Sequence, residues 1–493
     1  MANSRQVLVV GGGNAGLCAA ISAAEHGARV TLLERAPESA AGGNSRFTAG
    51  AMRVVYNGID DLLRLMPDLT EAEIERTDFG SYTREAFFDD MGRVTQYRTD
   101  PELAETLIDE SHPTLAWMQA QGVRFMPLYA RQSFEIDGKV RFWGGLTVEA
   151  WGGGPGLVDS LTDIAVRRGV NIIHEARATH LLQHLGRTTG VGLLQRQSET
   201  EFHADAVVLA CGGFESSATW RTRYLGPGWD LARVRGTRFN TGDGSAMALD
   251  AGAAPRGHWS GCHAVAWDSN APEYGDLSVG DGFQKHSYPL GILVNNSGRR
   301  FLDEGADFRN YTYARYGAEI LQQPQQCAWQ VFDAQVSAML RDEYRIREVT
   351  RVVANSIPEL VAKMDGVDPA AFVATVAEFN EAVQVEVPFD PTVKDARGTS
   401  GLEIPKSNWA NRLDTPPFEA YGVTCGITFT FGGLHVDART QVISQADEPM
   451  PGLFAAGELM GGLFYFNYPG GTGLTSGAVF GRIAGRQAAA GEI

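Results

Sequence analysis

Residues 6–34 read QVLVVGGGNAGLCAAISAAEHGARVTLLE, and this stretch decides the fold class. Its first five residues form an apolar run whose length suits a buried parallel strand. Residues 17–26 are rich in alanine and predict a helix, which Gly27 is suited to end. A second apolar run, residues 29–33, predicts a second strand and completes a β-α-β unit.

The turn between the first strand and the helix carries three spaced glycines. Gly11, Gly13 and Gly16 fit the pattern G-x-G-x-x-G, which lets the backbone approach a pyrophosphate at a helix N-terminus. Glu34 lies about 20 residues further on, where a carboxylate accepts a hydrogen bond from a ribose hydroxyl. The unit therefore predicts a dinucleotide site, and this stretch alone leaves FAD and NAD both open.

The bulk composition narrows the classes of partner. At 493 residues the chain is long enough for two or three domains. A net charge of −17 argues against a nucleic-acid partner, because phosphate contacts need clustered Lys and Arg. The five scattered Cys show no C-x-x-C or zinc pattern, so we expect reduced thiols, a cytoplasmic location and no metal site. No signal peptide is recognisable and no apolar run reaches about 18 residues, so we expect a chain that does not span a membrane.

Further motifs extend the pattern far beyond the first unit. Residues 42–53 are rich in Gly, Asn, Ser and Thr, which suits close backbone approach to a flavin and its diphosphate. Downstream, residues 207–214, 240–244, 451–458 and 470–477 read VVLACGGF, NTGDG, PGLFAAGE and GGTGLTSG. In this order they resemble the flavin motifs of the fumarate reductase and succinate dehydrogenase flavoprotein family. The resemblance runs along nearly the whole chain, and it implies FAD rather than NAD.

The same resemblance implies an α/β fold with a discontinuous architecture. We expect a Rossmann-like FAD-binding domain formed by residues 1–262 and 425–493, and an inserted α+β capping domain formed by residues 263–424. Residues 292–304 read ILVNNSGRRFLDE and resemble a hairpin of that capping domain. Closure of such a domain excludes water and completes a site. Residues 59–122 carry helix-start signals, and we interpret them as helical scaffold.

The motifs also nominate the residues that bind the cofactor. The bound FAD is expected to be non-covalent, because residues 42–53 contain no histidine. The predicted cofactor-binding residues are Gly11, Gly13, Asn14, Ala15, Gly16, Glu34, Arg35, Gly43, Asn44, Ser45, Thr48, Ala49, Gly50, Ala178, Ala210, Cys211, Gly212, Asp243, Gly457, Glu458, Gly473, Leu474 and Thr475.

The chemistry that the family resemblance implies is oxidation of a carbon–carbon single bond, or reduction of the alkene. A hydride moves between one carbon and flavin N5, and a proton moves at the neighbouring carbon. The family's proton-transfer group is an arginine shortly after the hairpin, and Arg309 occupies that position. Arginine has a pKa above about 12, so this role requires a closed site and a proton relay.

The groups that would anchor a substrate depart from the fumarate reductases. Residues 426–431 read GITFTF and lack the family's histidine, and Tyr468 replaces the arginine that clamps a carboxylate. The relay carboxylate and arginine upstream of the hairpin are also missing, with Lys285, His286 and Ser287 in that region. We predict Arg309 and Tyr468 as catalytic residues. The predicted substrate-binding residues are Thr428, Thr430, Tyr468, Gly471, Thr472 and His286.

One branch of the family is more similar than the others. Residues 43–50, 305–311 and 467–473 resemble the tricarballylate dehydrogenases. That resemblance implies oxidation of a small polycarboxylate, tricarballylate, to cis-aconitate, with electrons passing to a separate acceptor such as a membrane-bound redox partner. Three substrate carboxylates require cations, and the candidates besides Arg309 are Arg46, Arg53, Lys285 and His286.

Three alternatives remain open from the sequence. An activity like that of 3-ketosteroid Δ1-dehydrogenases is suggested by Tyr468 and Gly470, since a tyrosine and a glycine amide hold a ketone there; an apolar site lined by phenylalanines would favour it. A fumarate reductase-like enzyme acting on another unsaturated acid is the second. The third belongs to another class, a flavin-bound protein without redox turnover.

Overall fold

The computed structural model describes residues 4–491. The strands are β1 Gln6–Val10, β2 Arg29–Leu33, β3 Ala51–Met52, β4 Thr77–Asp78, β5 Phe125–Pro127, β6 Ser133–Ile136, β7 Lys139–Phe142, β8 Val148–Ala150, β9 Asn171–Ile173, β10 Ala176–His184, β11 Arg187–Gln195, β12 Ser198–His203, β13 Ala206–Leu209, β14 Arg233–Val234, β15 Pro255–Asp268, β16 Ile292–Asn295, β17 Ala328–Phe332, β18 Arg351–Ala354, β19 Phe418–Leu434, β20 Gln441–Ile443 and β21 Pro449–Ala455. The helices are α1 Asn14–Glu25, α2 Ile59–Leu65, α3 Glu71–Arg76, α4 Arg84–Val94, α5 Pro101–Gln121, α6 Tyr129–Gln132, α7 Gly153–Arg167, α8 Ala218–Leu225, α9 Asp243–Asp250, α10 Tyr313–Leu321, α11 Ala334–Ser337, α12 Ile357–Val361, α13 Pro369–Ala382 and α14 Thr472–Ala490.

The first sheet has six strands, and it contains the two parallel strands that the glycine-rich unit predicts. Its order is β20-β21-β13-β1-β2-β9, and the pairings are parallel except for that of β20 with β21. The predicted bounds of β1 and β2 are confirmed, whereas α1 begins three residues earlier than expected, at Asn14. Every residue of β13 is buried, as expected for a strand covered on both faces.

Helix α14 brings the end of the chain back onto α1. The two helices approach closely because α14 carries small residues at their contact. At Gly485, a Cβ atom would lie only 2.1 Å from the carbonyl oxygen of Ala19, so a larger residue would separate the helices. This packing places the last glycine loop, which leads into α14, beside the first glycine turn, which leads into α1.

A second six-stranded arrangement is centred on β19, a strand of 17 residues. It pairs with β14 in parallel and with β15, β17 and β18 in antiparallel register, and β16 extends the sheet beyond β17. The predicted boundaries at residues 262/263 and 424/425 lie within β15 and β19, where Cys262 is opposite Thr430 and Ala266 opposite Cys425. The division of the chain into two domains stays a prediction.

Smaller elements complete the fold. An antiparallel sheet, β10-β11-β12, and two three-stranded sheets, β3-β8-β5 and β4-β7-β6, flank the main layers. The helical character predicted for residues 59–122 is confirmed by α2 to α5, with the short β4 between them. Among the helices described between residues 4 and 491, none combines the length and apolar character required to cross a membrane.

Candidate active site

One large cavity runs along the carboxyl ends of β1 and β13, the edge where parallel α/β sheets bind ligands. About 1640 Å³ within it, including the open mouth, is free of protein atoms. Its walls come from the glycine turn before α1, the loop after β2, residues 43–51, the end of β13 and the start of α14. It continues past these segments to Arg309 and Tyr468.

Most of the predicted cofactor residues line this cavity. Those that do are Gly11, Gly13, Asn14, Ala15, Glu34, Arg35, Gly43, Asn44, Ser45, Thr48, Ala49, Ala178, Ala210, Cys211, Gly212, Asp243, Gly457, Glu458, Gly473 and Leu474. They come from segments separated by up to hundreds of residues, so the fold brings all the glycine-rich motifs to one place.

Three predicted cofactor residues lie behind the cavity wall. A Cβ at Gly16 would lie 1.9 Å from the carbonyl oxygen of Gly11, so this glycine allows α1 to pack against the turn. The carbonyl of Gly50 accepts a hydrogen bond from the amide of Ala150 at 2.9 Å. The Thr475 hydroxyl donates to the carbonyl oxygen of Arg53 at 2.8 Å. Their contacts here hold the wall together.

The geometry around Glu34 fits a dinucleotide. Its carboxylate accepts hydrogen bonds from the amides of Gly12 at 2.8 Å and Ala36 at 2.7 Å, which fix its position at the cavity wall. Burial raises the pKa of Glu34, although the two amides oppose that shift. The N-terminus of α1 opens into the same space, and a helix N-terminus attracts phosphate groups. The residues present therefore fit the diphosphate and ribose of FAD.

A buried pair of carboxyl groups lies beside the middle of the cavity. The side-chain amides of Asn44 and Asn240 both donate to Glu215 Oε1, at 2.5 and 2.7 Å. Glu458 Oε1 accepts from the amide and the hydroxyl of Thr430, at 2.7 and 3.0 Å. Burial raises the pKa of both carboxyls, and Glu458 further raises that of Glu215. The pair therefore favours holding a proton over carrying two charges.

The far end of the cavity is lined by aromatic side chains. The hydroxyls of Tyr313 and Tyr468 are 2.7 Å apart and share a hydrogen bond. The His263 ring lies 4.9 Å from both tyrosine rings, and Phe429 stacks on Tyr468 with ring centroids 6.2 Å apart. Burial lowers the pKa of His263 well below its usual range, so its ring is neutral.

Arg309 lies next to this aromatic group, in the short helical turn Arg309–Tyr311. Its Nη2 donates to the carbonyl oxygen of Arg131 and to Gln132 Oε1, both at 2.9 Å, which holds the guanidinium in place. The guanidinium carbon lies 5.6 Å from the centre of the Tyr313 ring. Burial lowers the pKa of Arg309, and the neighbouring Arg131 adds to that effect.

Two further arginines converge on one carboxylate at this end of the cavity. Arg235 contacts Asp281 Oδ1 through Nε at 2.8 Å and Nη2 at 2.6 Å. Arg131 Nη1 donates to Asp281 Oδ2 at 2.7 Å, and Gln284 Nε2 donates to the same oxygen at 2.6 Å. With Arg309, three guanidinium groups and the carboxylate of Asp281 line this end of the cavity, so the lining here carries a net positive charge.

The predicted substrate residues divide between the cavity and its surroundings. Thr428, Tyr468 and Gly471 line the cavity. The remaining three lie elsewhere: Thr430 is bonded to Glu458, the Thr472 hydroxyl donates to the Pro469 carbonyl, and His286 lines a separate small cavity behind Arg309.

The other candidate cations are held away from the cavity. Arg46 pairs with Asp159, and Lys285 is buried 3.4 Å from Asp268. Arg53 is fully buried, and its Nε donates to the Gly470 carbonyl at 2.8 Å. None of these three lines the cavity that contains Arg309. The expectation that they face the substrate is therefore corrected: each is engaged in pairing or packing instead.

Sequence reasoning missed several residues at this end: Arg131, Arg235, His263, Asp281, Gln284 and Tyr313. A weak signal existed for Tyr313, which follows Arg309 after one helical turn, and for Arg235, which shortly precedes the NTGDG turn. His263 on β15 is opposite Phe429 on β19. Strand β19 lacks the family's histidine, and the neighbouring strand β15 provides a histidine next to that segment. No local pattern marks Arg131 or Asp281.

Comparison with known proteins agrees with this geometry. Residues 6–474 match the FAD binding domain family. The chain is 30% identical over 491 residues to a fumarate reductase (cytochrome) of Shewanella frigidimarina, covering 98% of this chain and 76% of that protein. The chain belongs to the fumarate reductase flavoprotein family. FAD is accordingly its cofactor, and it is an FAD-dependent oxidoreductase that acts on carbon–carbon bonds.

Two solved structures have the same fold as this chain. The open conformation of a flavocytochrome c3 fumarate reductase matches with a TM-score of 0.72 at 25% identity, over 99% of this chain and 78% of that one. A 3-ketosteroid Δ1-dehydrogenase from Sterolibacterium denitrificans matches with a TM-score of 0.74 at 19% identity, over 99% and 100%. The predicted α/β fold with an FAD-binding domain is confirmed. The alternative of a flavin-bound protein without turnover is not supported, because the relatives are oxidoreductases.

Proposed function

We propose that this enzyme oxidises tricarballylate, a small tricarboxylate, to cis-aconitate. The observation that supports the substrate class is the positively charged lining at one end of the FAD cavity, where Arg131 and Arg235 share the carboxylate of Asp281 and Arg309 adds a third guanidinium. A polyanionic substrate would be stabilised by this charge, and burial strengthens the attraction. The likeness of residues 43–50, 305–311 and 467–473 to the tricarballylate dehydrogenases supports the same choice.

FAD, when bound, supplies the acceptor for the hydride of the C–H bond that breaks. The protein must then remove the proton from the adjacent carbon, and Arg309 is the residue we assign to this step. Its guanidinium is held by the carbonyl of Arg131 and by Gln132, and its pKa is lowered by burial. Both features favour a positioned group that can exchange a proton in a site closed to water.

Tyr468 orients the substrate in this proposal. Its hydroxyl is bonded to that of Tyr313, and burial raises its pKa well above its usual range, so it stays protonated and can act as a hydrogen-bond donor. His263 is neutral beside it and can accept or donate one hydrogen bond. These groups suit binding of a carboxylate without adding charge.

The electrons leave through a separate acceptor, for which we propose a membrane-bound redox partner. The named relative is a cytochrome fumarate reductase, and this chain spans 76% of its length. We further propose a cytoplasmic location, because all five cysteines are free thiols, the state that a reducing compartment maintains.

The test is anaerobic reduction of the bound flavin in a single turnover. Tricarballylate should bleach the flavin absorbance, while succinate at the same concentration should do so at least tenfold more slowly. Bleaching by succinate alone would replace the proposed substrate with a dicarboxylate. The reverse reaction, oxidation of chemically reduced enzyme by fumarate, tests the fumarate reductase-like alternative in the same instrument.

A second candidate is oxidation of a 3-ketosteroid, favoured by the tyrosine pair and the stacked Phe429 that line the cavity. The neighbouring phenylalanines Phe431, Phe464 and Phe466, which a wider apolar site would require, do not line this cavity. Three arginines at the same end would be poorly matched to a steroid. Bleaching by a 3-ketosteroid, and none by tricarballylate, would establish this candidate instead.

A further inference from the structure

We infer that Arg131 and Arg235, held together by Asp281, form a carboxylate-binding subsite that is separate from Arg309 and selects tricarboxylates over dicarboxylates. The inference rests on the proposed function, since it assigns the subsite for the third carboxylate of the same substrate. Neither arginine belongs to a glycine motif, and only the folded chain brings them together with Asp281.

The first argument concerns the geometry of the pair. Arg235 offers Nε and Nη2 to one oxygen of Asp281, and Arg131 offers Nη1 to the other oxygen. A carboxylate is therefore already recognised by both guanidinium groups at this place. Asp281 fixes their planes, and such preorganisation lowers the entropy that a ligand loses on binding.

The second argument concerns the donors that remain. A guanidinium carries five N–H groups. Arg235 uses Nε and Nη2 for Asp281 and Nη1 for the Thr428 hydroxyl, at 3.3 Å, which leaves two of its N–H groups outside these bonds. Arg131 uses only Nη1 for Asp281. Both side chains line the cavity, so spare donors exist where a substrate carboxylate would arrive.

The third argument concerns the charge that is left unbalanced. The Arg235 and Asp281 side chains are each only 6% exposed, and Arg131 is 23% exposed. Glu343, Glu149 and Asp342 also attract Arg131, but they lie outside the cavity lining. On the side that faces the cavity, two cations share the one carboxylate of Asp281, so this side carries an excess of positive charge. Burying such an excess is unfavourable unless a further anion joins it. A substrate carboxylate supplies that anion.

The position of the subsite gives it a specificity role distinct from that of Arg309. Arg309 donates to the backbone carbonyl of Arg131, whereas Arg235 donates to the hydroxyl of Thr428, whose neighbour Phe429 stacks on Tyr468. Arg235 and Arg309 therefore both lie beside the aromatic end of the cavity. A substrate that has only two carboxylates would leave the subsite without its anion.

The experiment measures binding to holoenzyme whose flavin has been reduced, so that a bound acid cannot react. The ligands are tricarballylate and 2-methylsuccinate, which is tricarballylate with one CH₂COO⁻ arm replaced by a methyl group. Calorimetric titrations compare the wild type with Arg235→Gln, Arg235→Lys and Arg131→Gln. Arg233→Gln is the matched control, because Arg233 is two residues away and its Nη1 donates to the Ser269 carbonyl outside the cavity lining.

The expected result is a change in ligand preference. The wild type and Arg233→Gln should bind tricarballylate at least tenfold more tightly than 2-methylsuccinate. Arg235→Gln and Arg131→Gln should reduce that ratio to below threefold while FAD content stays at the wild-type level. Arg235→Lys should give an intermediate ratio, because it keeps the charge and loses the planar fork, and it provides a folded variant if Arg235→Gln does not accumulate.

Two results overturn the inference, and they can be told apart. If the glutamine variants bind both ligands more weakly by the same factor, or if the ratio of the two affinities is unchanged, the arginines have no selective role. The proposed substrate then still stands. If the wild type does not bind tricarballylate, the proposed function fails and the subsite assignment fails with it.

Discussion

Arg309 is a residue whose surroundings decide its chemistry. Its position after the hairpin is readable from the sequence, but the two acceptors that hold its Nη2 come from residues 131 and 132, which are distant in the chain. Burial then lowers its pKa. An arginine on the surface would be an unremarkable cation, whereas this one is positioned and partly deprived of the solvation that keeps it protonated.

We expect Arg309→Gln and Arg309→Lys both to lower the rate of flavin reduction by tricarballylate by about 10²-fold or more, the range for loss of general acid–base catalysis. Lysine keeps the charge but cannot reproduce the paired contacts of a guanidinium. Single-turnover absorbance measurements give the rate directly. Arg315→Gln is the control, because that side chain is 57% exposed on α10.

Near-normal reduction in Arg309→Gln would remove this residue from the mechanism. A rise in KM with kcat preserved in Arg309→Lys would instead indicate that Arg309 binds a carboxylate. Retention of the wild-type FAD content in both variants is required before either result is interpreted.

Tyr468 gives a second prediction at the scale of one residue. Tyr468→Phe keeps the ring that stacks on Phe429 and removes the hydroxyl bonded to Tyr313. Loss of about 1.5 kcal/mol from one hydrogen bond corresponds to a decrease in kcat/KM of about tenfold. Steady-state kinetics check this, and Tyr465→Phe is the control, because Tyr465 does not line the cavity. Unchanged kinetics would assign Tyr468 to packing alone.

Among the elements, strand β8 contains a partly buried acid, Glu149, whose ionisation opposes folding at high pH. Burial raises the pKa of Glu149 from 4.5 to about 7, and the nearby Arg131 only partly offsets this. Between these two pH values the native state retains a proton that the unfolded state has lost. The free energy of unfolding therefore falls as the pH rises from 4.5 to 7.

Glu149→Gln removes this penalty. At pH 8 the free energy of unfolding of the variant should exceed that of the wild type by on the order of 1–3 kcal/mol, so the variant should unfold at a higher temperature. At pH 4.5 or below, the two proteins should be equally stable. Thermal unfolding followed by circular dichroism at both pH values measures this. Glu199→Gln, an exposed position on β12, should show no such dependence. A pH-independent difference would contradict the assignment.

The elements also explain why the site requires two sheets. The parallel sheet provides the glycine turns, whereas β14, β15 and β19 provide the neighbourhood of Arg235, His263 and Thr428. Because β14 pairs with β19 in parallel, the chain leaves β14 at Arg235 directly beside Thr428. A shift of one residue in that register would turn these side chains to the opposite face of the sheet.

At the scale of the whole molecule, Arg53 joins segments that are far apart in the sequence. Its side chain is fully buried, with Nε donating to Gly470 at 2.8 Å and Nη1 to Gly144 at 3.0 Å. Its guanidinium also lies 4.8 Å from the centre of the Tyr82 ring. It therefore ties the last glycine loop to the region before α7.

Arg53→Met should destabilise the whole protein, because it leaves buried carbonyl groups without donors. The expected loss is on the order of 3 kcal/mol. Thermal unfolding should shift downward by several degrees, and FAD should dissociate more readily, since residues 51 and 471 line the cavity beside it. Arg64→Met is the control, because that side chain is 70% exposed. Equal unfolding temperatures for Arg53→Met and the wild type would contradict this role.

The part of the site that binds the FAD diphosphate and ribose could be predicted from the sequence alone. Residues 6–34 contain the strand, glycine turn, helix and acid in one continuous stretch. Two of its glycines are required by contacts within the stretch, because a Cβ at Gly12 would lie 2.7 Å from the Glu34 carboxylate and one at Gly16 would lie 1.9 Å from the Gly11 carbonyl oxygen. The bounds of β1 and β2 could therefore be predicted to the residue. Local steric and hydrogen-bonding rules are sufficient there, because the partners are close in the chain.

The charged residues that accompany Arg309 in the cavity could not be predicted from the sequence, because their contacts join residues that are distant in the chain. Arg235 and Asp281 are 46 residues apart, and Arg131 and Asp281 are 150 apart, so no local pattern predicts that they meet. Arg53 and Lys285 carry the same charge as these residues, yet the fold buries them against carbonyl groups and Asp268. The sequence shows which side chains are charged, but the solvation of each side chain and its partners depend on how distant strands and loops pack. That packing is why the unpredicted Arg131 and Arg235, rather than the predicted cations, line the cavity with Arg309.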